Sequence, residues 1–321
     1  MSDSSTTTPA TLGAQQYSSR LAHRLPPKKL DALIAMGLDP MMKIHKALRW
    51  AARLQTPDAL KLLSPSFRDE ILEIIVLCAE DGNAKVMGPL VSQTFPNLWN
   101  SKALELAASH GHAACVSALL SADIPQGQID LALACASSRG HVECVKLLLP
   151  LADALAHDSN ALRSAAANGA LECLLLLLPK SDPSASFHAA LRHASLRGHI
   201  ECVKALLPVS DAFAMNSCAL QWACEEGNAE CARVLIPHCD PMADDSRALM
   251  AAICSCHYSC VELLLPHFTG CLSAPDLASL ELVAAKDGSL EMAALVRSHA
   301  EHRLLSESTP AKPARPVRAR L

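Results

Sequence analysis

Two features are scarce in this chain of 321 residues: aromatic side chains and long apolar runs. Aromatic residues make up 3% of the sequence, and apolar runs are short, as from Leu171 to Leu178, where Glu172 interrupts the run. A membrane-spanning helix needs about 20 apolar residues, so none is expected. Neither sign of charge dominates, because the formal net charge is −4. Nucleic acid and anionic membrane surfaces are therefore not predicted as partners.

Sequence motifs of common enzymes are also missing. There is no Gly-x-Ser-x-Gly elbow, no phosphate-binding loop and no His-Glu-x-x-His helix. The N-terminus lacks the apolar stretch of a secretory signal. We therefore predict a protein with no catalytic activity, no cofactor and no small-molecule substrate, located in the reducing environment of the cytoplasm.

What the sequence does contain is a repeat. Glycine recurs at intervals of 29 residues, and one further step lands on Cys256. The glycines of this series are Gly82, Gly111, Gly140, Gly169, Gly198 and Gly227. A fixed period of this length is the signature of a stacked repeat architecture.

Each repeat reads as two short antiparallel helices. A leucine or isoleucine stands seven residues before the glycine, as at Leu104, and a small pair such as Ala107-Ala108 comes next at helical spacing. After the glycine, apolar residues such as Val145 and Leu148 form one stripe on a second helix. Glycine suits the left-handed turn that ends the first helix.

Proline and aspartate mark the end of each second helix. Proline at 150, 179, 208, 237 and 266 is predicted to stop the helix. The aspartates three residues further on, Asp153, Asp182, Asp211 and Asp240, are predicted to close a turn or to cap the next segment of the chain.

The predicted fold is an all-α helical repeat solenoid of about nine helix-turn-helix units. Two degenerate copies, one with Gln55 at the glycine position and one around Gly288, extend the seven regular units. The repeats should occupy residues 28–305. We expect residues 1–27 to be a disordered Ser/Thr-rich tail and residues 306–321 to be a Pro-rich basic tail.

The unit Lys102–Leu120 resembles the ankyrin repeat. It keeps Leu104, Ala107, Ala108, Gly111, His112, Val116, Leu119 and Leu120 in the places of that family's pattern. The resemblance implies a curved stack that binds other proteins through loop tips and inner helices. The family's Thr-Pro-Leu-His start is missing, and the period is four residues below the usual thirty-three. Binding should therefore use the helical face rather than long hairpin fingers.

Cysteine also follows the repeat. Cys115, Cys144, Cys173, Cys202, Cys231 and Cys260 all stand four residues past the glycine position. We predict that they are small buried hydrophobes, too far apart in adjacent repeats for disulfides. A zinc site built from Cys254, Cys256, His257 and Cys260, with His238 and Cys239 upstream, is a minor alternative, and we predict no metal. Cys256 at a left-handed position should make its repeat the softest.

Histidine follows three of the six glycines and also Cys256, with Asn83 and Asn228 as substitutes. A recurrent structural position favours a capping or inter-repeat hydrogen bond over acid–base chemistry. Recognition residues should instead lie on the exposed positions of the first helices and just before each glycine. The candidates are Arg163, Arg192, His193, Arg197, Gln221, Trp222, Glu225 and Glu226. Exposed tryptophan beside arginine is typical of a binding hot spot, although partial packing of Trp222 between repeats is the alternative.

The sequence therefore predicts a monomeric scaffold that binds partner proteins. Residues 1–27 also resemble the export signal of bacterial type III effectors, and more weakly a transit peptide, since they are rich in Ser and Thr and contain Asp3 as their only acid. The alternative hypothesis is thus a secreted effector, delivered into a host cell, whose repeats capture a host protein.

Overall fold

The computed structural model describes residues 68–91 and 98–268, together with 32, 35, 36, 280, 282, 283 and 291–299. Fourteen α-helices have both ends inside these ranges, and no described residue lies in a strand. They are α1 Arg68–Asp81, α2 Ala84–Val91, α3 Leu98–Ser109, α4 Ala113–Leu119, α5 Gln126–Ser138, α6 Val142–Leu148, α7 Ala156–Ala167, α8 Leu171–Leu177, α9 Ala185–Leu196, α10 Ile200–Leu206, α11 Ala214–Glu225, α12 Ala229–Leu235, α13 Ala243–Cys254 and α14 Tyr258–Leu264. The prediction of an all-helical fold is confirmed.

The helices form seven consecutive pairs, each a longer first helix and a shorter second one. The described chain divides into two compact units. The first comprises the chain up to residue 165 with residues 170–181, and the second comprises residues 166–169 with the chain from 182 onwards. The total of nine repeats and the two tails lie partly or wholly outside the described residues and remain predictions.

Within the first unit, α1, α3 and α5 pack side by side, and α2, α4, α6 and α8 form a second row. Within the second unit, α9, α11 and α13 form one row and α10, α12 and α14 the other. Each row contributes one apolar stripe to the core. The leucines seven residues before the glycines, Leu104, Leu133, Leu162, Leu191, Leu220 and Leu249, are all 0% exposed. The predicted core positions are therefore confirmed.

The second helices end as the prolines require. A turn of 3-10 helix comes after α8, α10 and α12, with Pro179, Pro208 or Pro237 at its first or second position. The ring of proline removes a backbone donor and prevents the α-helix from continuing. The aspartates then close turns, because the Asp211 carboxylate accepts from the Phe213 N–H at 2.9 Å, and Asp153, Asp182 and Asp240 behave alike.

Four of the first helices begin with a turn that the sequence did not predict. Three consecutive residues with φ between +51° and +65° stand at the start of each. These left-handed turns are 157–159, 186–188, 215–217 and 244–246, and none contains glycine. The last residue of each turn donates its N–H to the carbonyl four residues earlier, as Ser217 does to Phe213 at 3.1 Å.

Left-handed conformation costs an ordinary residue about 1–2 kcal/mol, so the turns need support. Side chains from the adjoining helix provide it. Arg192 donates from Nε to the Phe187 carbonyl at 3.0 Å and from an Nη to the Ser186 carbonyl at 2.8 Å. A neighbouring segment provides more, because the backbone N–H of Asp240 donates to Ser217 Oγ at 2.9 Å.

Candidate functional site

The histidines after the glycines join successive repeats. His112 Nε2 donates to the Glu80 carbonyl at 2.9 Å, His141 to Ser109 at 3.0 Å and His257 to Glu225 at 3.0 Å. Each bond reaches back 32 residues, to the end of the first helix of the preceding repeat. None of these rings caps its own helix. The predicted inter-repeat bond is confirmed, and a structural role is thereby assigned to these rings.

The glycines make room for those rings. Gly111 has φ of +78°, and a Cβ built there would lie 2.5 Å from His141 Nδ1. Gly198 is covered in the same way by Asn228, whose Nδ2 donates to the Ser195 and Leu196 carbonyls. Gly140 is the exception, because Ala170 replaces histidine and a Cβ would meet only the Ala170 methyl at 3.7 Å. Apart from Gly140, these glycines thus serve both the turn and the next repeat.

The recurrent cysteines are core residues. All six positions are at most 1% exposed, and every cysteine in the described ranges is a free thiol. Burial raises the pKa of the Cys144, Cys202 and Cys231 thiols to about 11. Thiols held protonated in this way are poor nucleophiles and poor metal ligands. The prediction that they are small buried hydrophobes is confirmed.

The residues of the alternative zinc site do not share one environment. Cys254 is exposed, Cys256 and His257 are partly exposed, and Cys260 is buried. His257 is held by its bond to the Glu225 carbonyl. Within the described residues, no group of three or more His, Cys, Asp or Glu side chains could hold a metal ion. Cys256 has φ of +57°, so the predicted left-handed conformation is confirmed.

Three of the predicted recognition residues come together on the first helices of the second unit. The Arg192 guanidinium carbon lies 5.0 Å from the centre of the Trp222 ring. The His193 ring centre lies 5.7 Å from that of Trp222 and is tilted by 37°. A cation over an indole face is an attractive arrangement that also fixes the ring. Trp222 is half-buried, as the packing alternative predicted.

The other predicted residues differ in their surroundings. Arg197, Glu225 and Glu226 are exposed, as expected for residues just before a glycine. Gln221 was expected on the surface but is only 8% exposed, because its Nε2 reaches the Asn216 carbonyl at 2.8 Å and supports the left-handed turn. Arg163 lies in the first unit and donates to Asn160 Oδ1 at 2.9 Å.

A groove lies between α11 and α13. Its volume is about 360 Å³. It is lined by Met215, Asn216, Cys218, Gln221, Trp222, Glu225, Asp244, Arg247 and Ala251. Trp222 therefore contacts Arg192 and His193 of α9 and also faces this groove. Concave sites with apolar walls and a few polar groups are the usual form of a binding pocket.

Sequence reasoning missed four exposed apolar side chains within or just before the left-handed turns of the second unit. Phe187 is 70% exposed, Phe213 59%, Met215 53% and Met242 39%. We call these four residues the turn ridge. Phe213 and Met242 are 29 residues apart and occupy equivalent positions, and Met215 also lines the groove. A column-by-column comparison could have found them, because Ser184 is the polar residue at the position of Phe213 one repeat earlier.

Antiparallel helix pairs that recur at one interval and stack within each unit define a helical repeat protein. Residues 104–188 and 191–273, more than half of the chain, match the family described as ankyrin repeats (3 copies). The chain belongs to the ankyrin-repeat family. Ankyrin repeats generally mediate protein–protein interaction. No curated protein matches the chain.

Solved ankyrin repeat domains are similar to parts of the chain. The ankyrin repeat domain of human ASB11 is 20% identical, with a TM-score of 0.45, and the match covers 56% of this chain and 96% of that one. The ankyrin repeat domain of Bcl-3, a member of the IkappaB protein family, is 21% identical with a TM-score of 0.46, covering 59% and 96%. Among the described residues, no helix combines the length and apolarity needed to cross a bilayer.

Proposed function

We propose that the protein is a scaffold that binds partner proteins through its second unit. The observation that carries the proposal is the turn ridge, where Phe187 and Phe213 expose 70% and 59% of their surface. Several exposed aromatic and thioether side chains on one unit are costly in water and are typical of interaction surfaces. The adjacent first-helix face supplies Trp222 and the charged residues Arg197, Glu225 and Glu226.

The position of Trp222 supports the same face. Large aromatic residues next to arginine contribute most of the binding energy in many interfaces. The contacts of Trp222 with Arg192 and His193 restrict its ring before any partner arrives. A side chain that is already fixed loses little conformational entropy on binding.

Quantitative affinity capture with the full chain tests the proposal. Phe213→Ser together with Met215→Ser should reduce partner recovery by at least about tenfold, since a hot-spot side chain contributes about 2 kcal/mol or more. Leu151→Ser together with Leu155→Ser is the matched control, because these leucines are 50% and 57% exposed on the first unit. Equal recovery of every partner by both double variants would contradict the proposal.

The first-helix face is tested separately by Trp222→Leu. This change keeps an apolar side chain but removes the ring that Arg192 and His193 contact. We expect partner recovery to fall while the midpoint of thermal unfolding changes by only a few degrees. If Trp222→Leu leaves partner recovery unchanged, the partner binds the turn ridge and not the first-helix face.

The effector hypothesis concerns residues 1–27, which lie outside the described residues. Its support is the Ser/Thr-rich, acid-poor composition of that segment. A reporter enzyme fused to residues 1–27 should enter host cells from a bacterium with a type III apparatus and stay inside a mutant lacking it. A reporter that stays inside both strains removes this alternative.

We also propose that the protein is monomeric, has no catalytic activity, works in a reducing cytoplasm, and uses neither membranes nor nucleic acid. Buried free thiols in both units support the reducing compartment, because an oxidising one favours disulfides. Light scattering of the purified chain should give a mass near 34.1 kDa. A mass of twice that value would replace the monomer with a dimer.

A further inference from the structure

The groove between α11 and α13 is lined by apolar side chains, by several hydrogen-bond acceptors and by the single cation Arg247. Met215, Cys218, Trp222 and Ala251 contribute apolar surface. Gln221, Glu225 and Asp244 contribute oxygen atoms. A side chain that enters must therefore combine an apolar stem with several donors.

Gln221 presents a fixed acceptor to the groove. The side chain is only 8% exposed, and its Nε2 donates to the Asn216 carbonyl at 2.8 Å. A carbonyl can only accept, so this bond fixes which end of the amide is Nε2. The opposite oxygen, Oε1, receives no donor from the described residues. An acceptor held in place at the wall of a groove suits an entering donor, and covering it without one is costly.

The charges at the groove are predominantly negative. No described residue forms an ion pair with Glu225, and the neighbouring Glu226 and Asp245 are also exposed without one. Asp244 is the exception, because Arg247 lies 3.2 Å from it and shares its charge. An entering positive charge therefore meets carboxylates that have no cation of their own.

Besides Arg247, a second arginine, Arg192, lies near the groove. Arg192 lies over Trp222, but it belongs to α9 and its guanidinium is held by the Phe187 and Ser186 carbonyls. The Arg192 guanidinium therefore bonds to the left-handed turn and not to Glu225. The groove itself keeps an excess of acceptors.

We propose that this groove receives an arginine side chain from an extended segment of the partner protein. Guanidinium has five N–H donors in a plane, which can serve Glu225 and Gln221 Oε1 together while its stem lies against Trp222 and Met215. Because Met215 belongs also to the turn ridge, an apolar residue beside the arginine then covers Phe213. This inference rests on the proposed function and specifies the chemistry of the partner.

Selection from a random dodecapeptide library displayed on phage, with the full chain as bait, tests the inference. Enriched peptides should contain an arginine next to an apolar residue. Calorimetry with the strongest synthetic peptide should then show at least about tenfold weaker binding when citrulline, which has the same shape without the charge, replaces the arginine. Lysine should weaken binding less than citrulline, because it keeps the charge but loses the planar donors.

Glu225→Gln should weaken binding of the same peptide about fivefold to tenfold, since it removes a charge-assisted hydrogen bond. Glu262→Gln is the matched control, because Glu262 is an exposed carboxylate on α14 of the same unit, and binding should be unchanged. Equal affinity of the citrulline and arginine peptides overturns the inference. So does a library that yields no enriched peptide.

Two outcomes separate this inference from the proposed function. Enriched peptides without a cation, whose binding is lost with Phe213→Ser and Met215→Ser, overturn the arginine pocket and leave the binding surface in place. Enriched peptides that bind every second-unit variant as well as the original chain overturn both.

Discussion

At the scale of single residues, the repeat depends on pairs that are distant in sequence but in contact. Gly111 lies under His141, and Gly227 lies under His257. The ring fills the space that a Cβ would occupy and also bonds the end of the preceding helix. Glycine is therefore required for two reasons, its positive φ and the close approach of the ring.

The two reasons can be separated experimentally. Gly140→Ala should lower the free energy of unfolding by about 1–2 kcal/mol, because it incurs only the left-handed strain. Gly111→Ala should lower it by about 1–3 kcal/mol more, since the new methyl displaces His141 from its bond to Ser109. Urea denaturation of the two variants measures the difference. Equal losses would mean that the ring gives way freely.

Ala170 offers the reverse change. Ala170→His should raise the free energy of unfolding by about 0.5–1 kcal/mol, because the new ring can cover Gly140 and donate to the carbonyl of residue 138, as His141 does to residue 109. Urea denaturation again provides the measurement. The gain should disappear in the background of Gly140→Ala, and a gain that persists there would have another origin.

Much of this residue-scale structure could be predicted from the sequence. The left-handed glycines, the buried cysteines and the histidine bonds all derive from identities that recur at one interval. The burial of Gln221 could not be predicted, because it depends on a left-handed turn with no glycine to indicate it. The exposure of Phe187 and Phe213 was also missed, since apolar residues are expected in the core.

At the scale of elements, four of the first helices begin with a left-handed turn. This turn of three residues leads directly into the right-handed part of the helix. Non-glycine residues occupy it because bonds from Arg192, Gln221 and the Asp240 N–H offset part of the strain. Their side chains also project from the edge, which is how Phe187 and Met215 come to be exposed.

Glycine substitution should have opposite effects in a left-handed turn and in a right-handed helix. Asp245→Gly should raise the free energy of unfolding by about 1 kcal/mol, because Asp245 is exposed with φ of +54° and glycine adopts that conformation without strain. Glu262→Gly, on the exposed side of the right-handed helix α14, should lower it by about 1 kcal/mol. Thermal unfolding monitored by circular dichroism measures both. A loss of stability in both variants would contradict the left-handed assignment.

Helix boundaries were predictable where a residue type dictates them. Proline and glycine end the two helices of each pair at the expected places. The start of each first helix was not predictable, since Ser, His, Asp and Phe within the turns do not distinguish left-handed from right-handed backbone. Only the packing of the adjoining helix against the turn makes that distinction.

At the scale of the whole molecule, the buried thiols make stability depend on pH. The thiols of the unfolded chain have a pKa of about 9.0, whereas burial raises the pKa of Cys144, Cys202 and Cys231 to about 11. The folded state therefore keeps protons that the unfolded state releases. Stability from this difference is complete below pH 9 and is lost as pH rises through about 11.

We expect the free energy of unfolding to be lower at pH 10.5 than at pH 8. Guanidinium titrations under reducing conditions measure this slope. Replacing Cys144, Cys202 and Cys231 by alanine should lower stability at both pH values but flatten the slope. Cys254→Ala, at an exposed position, should leave the slope unchanged. A slope that the triple variant retains in full would assign the pH dependence to other groups.

The class of fold could be predicted at this scale because the same pattern of apolar residues and glycine occurs in seven repeats. A departure from the pattern in one repeat, such as Cys256 in place of glycine, leaves the pattern recognisable in the other repeats. The function was readable only as a class, since partner contacts use the positions that the repeat leaves free. The division into two units had no counterpart in the sequence, where the period continues without a break.

The bonds between a ring and the helix end 32 residues before it also affect how such a gene can change. Deletion of residues 112–140 would join Gly111 directly to His141. The junction would again have glycine followed by histidine, so that one whole repeat can be deleted while the remaining repeats keep their contacts. Loss of a number of residues that is not a multiple of 29 would change the spacing between the glycine before the junction and the ring after it, although later pairs would keep theirs. Recombination in whole repeats is therefore the route by which this array can lengthen or shorten and still fold.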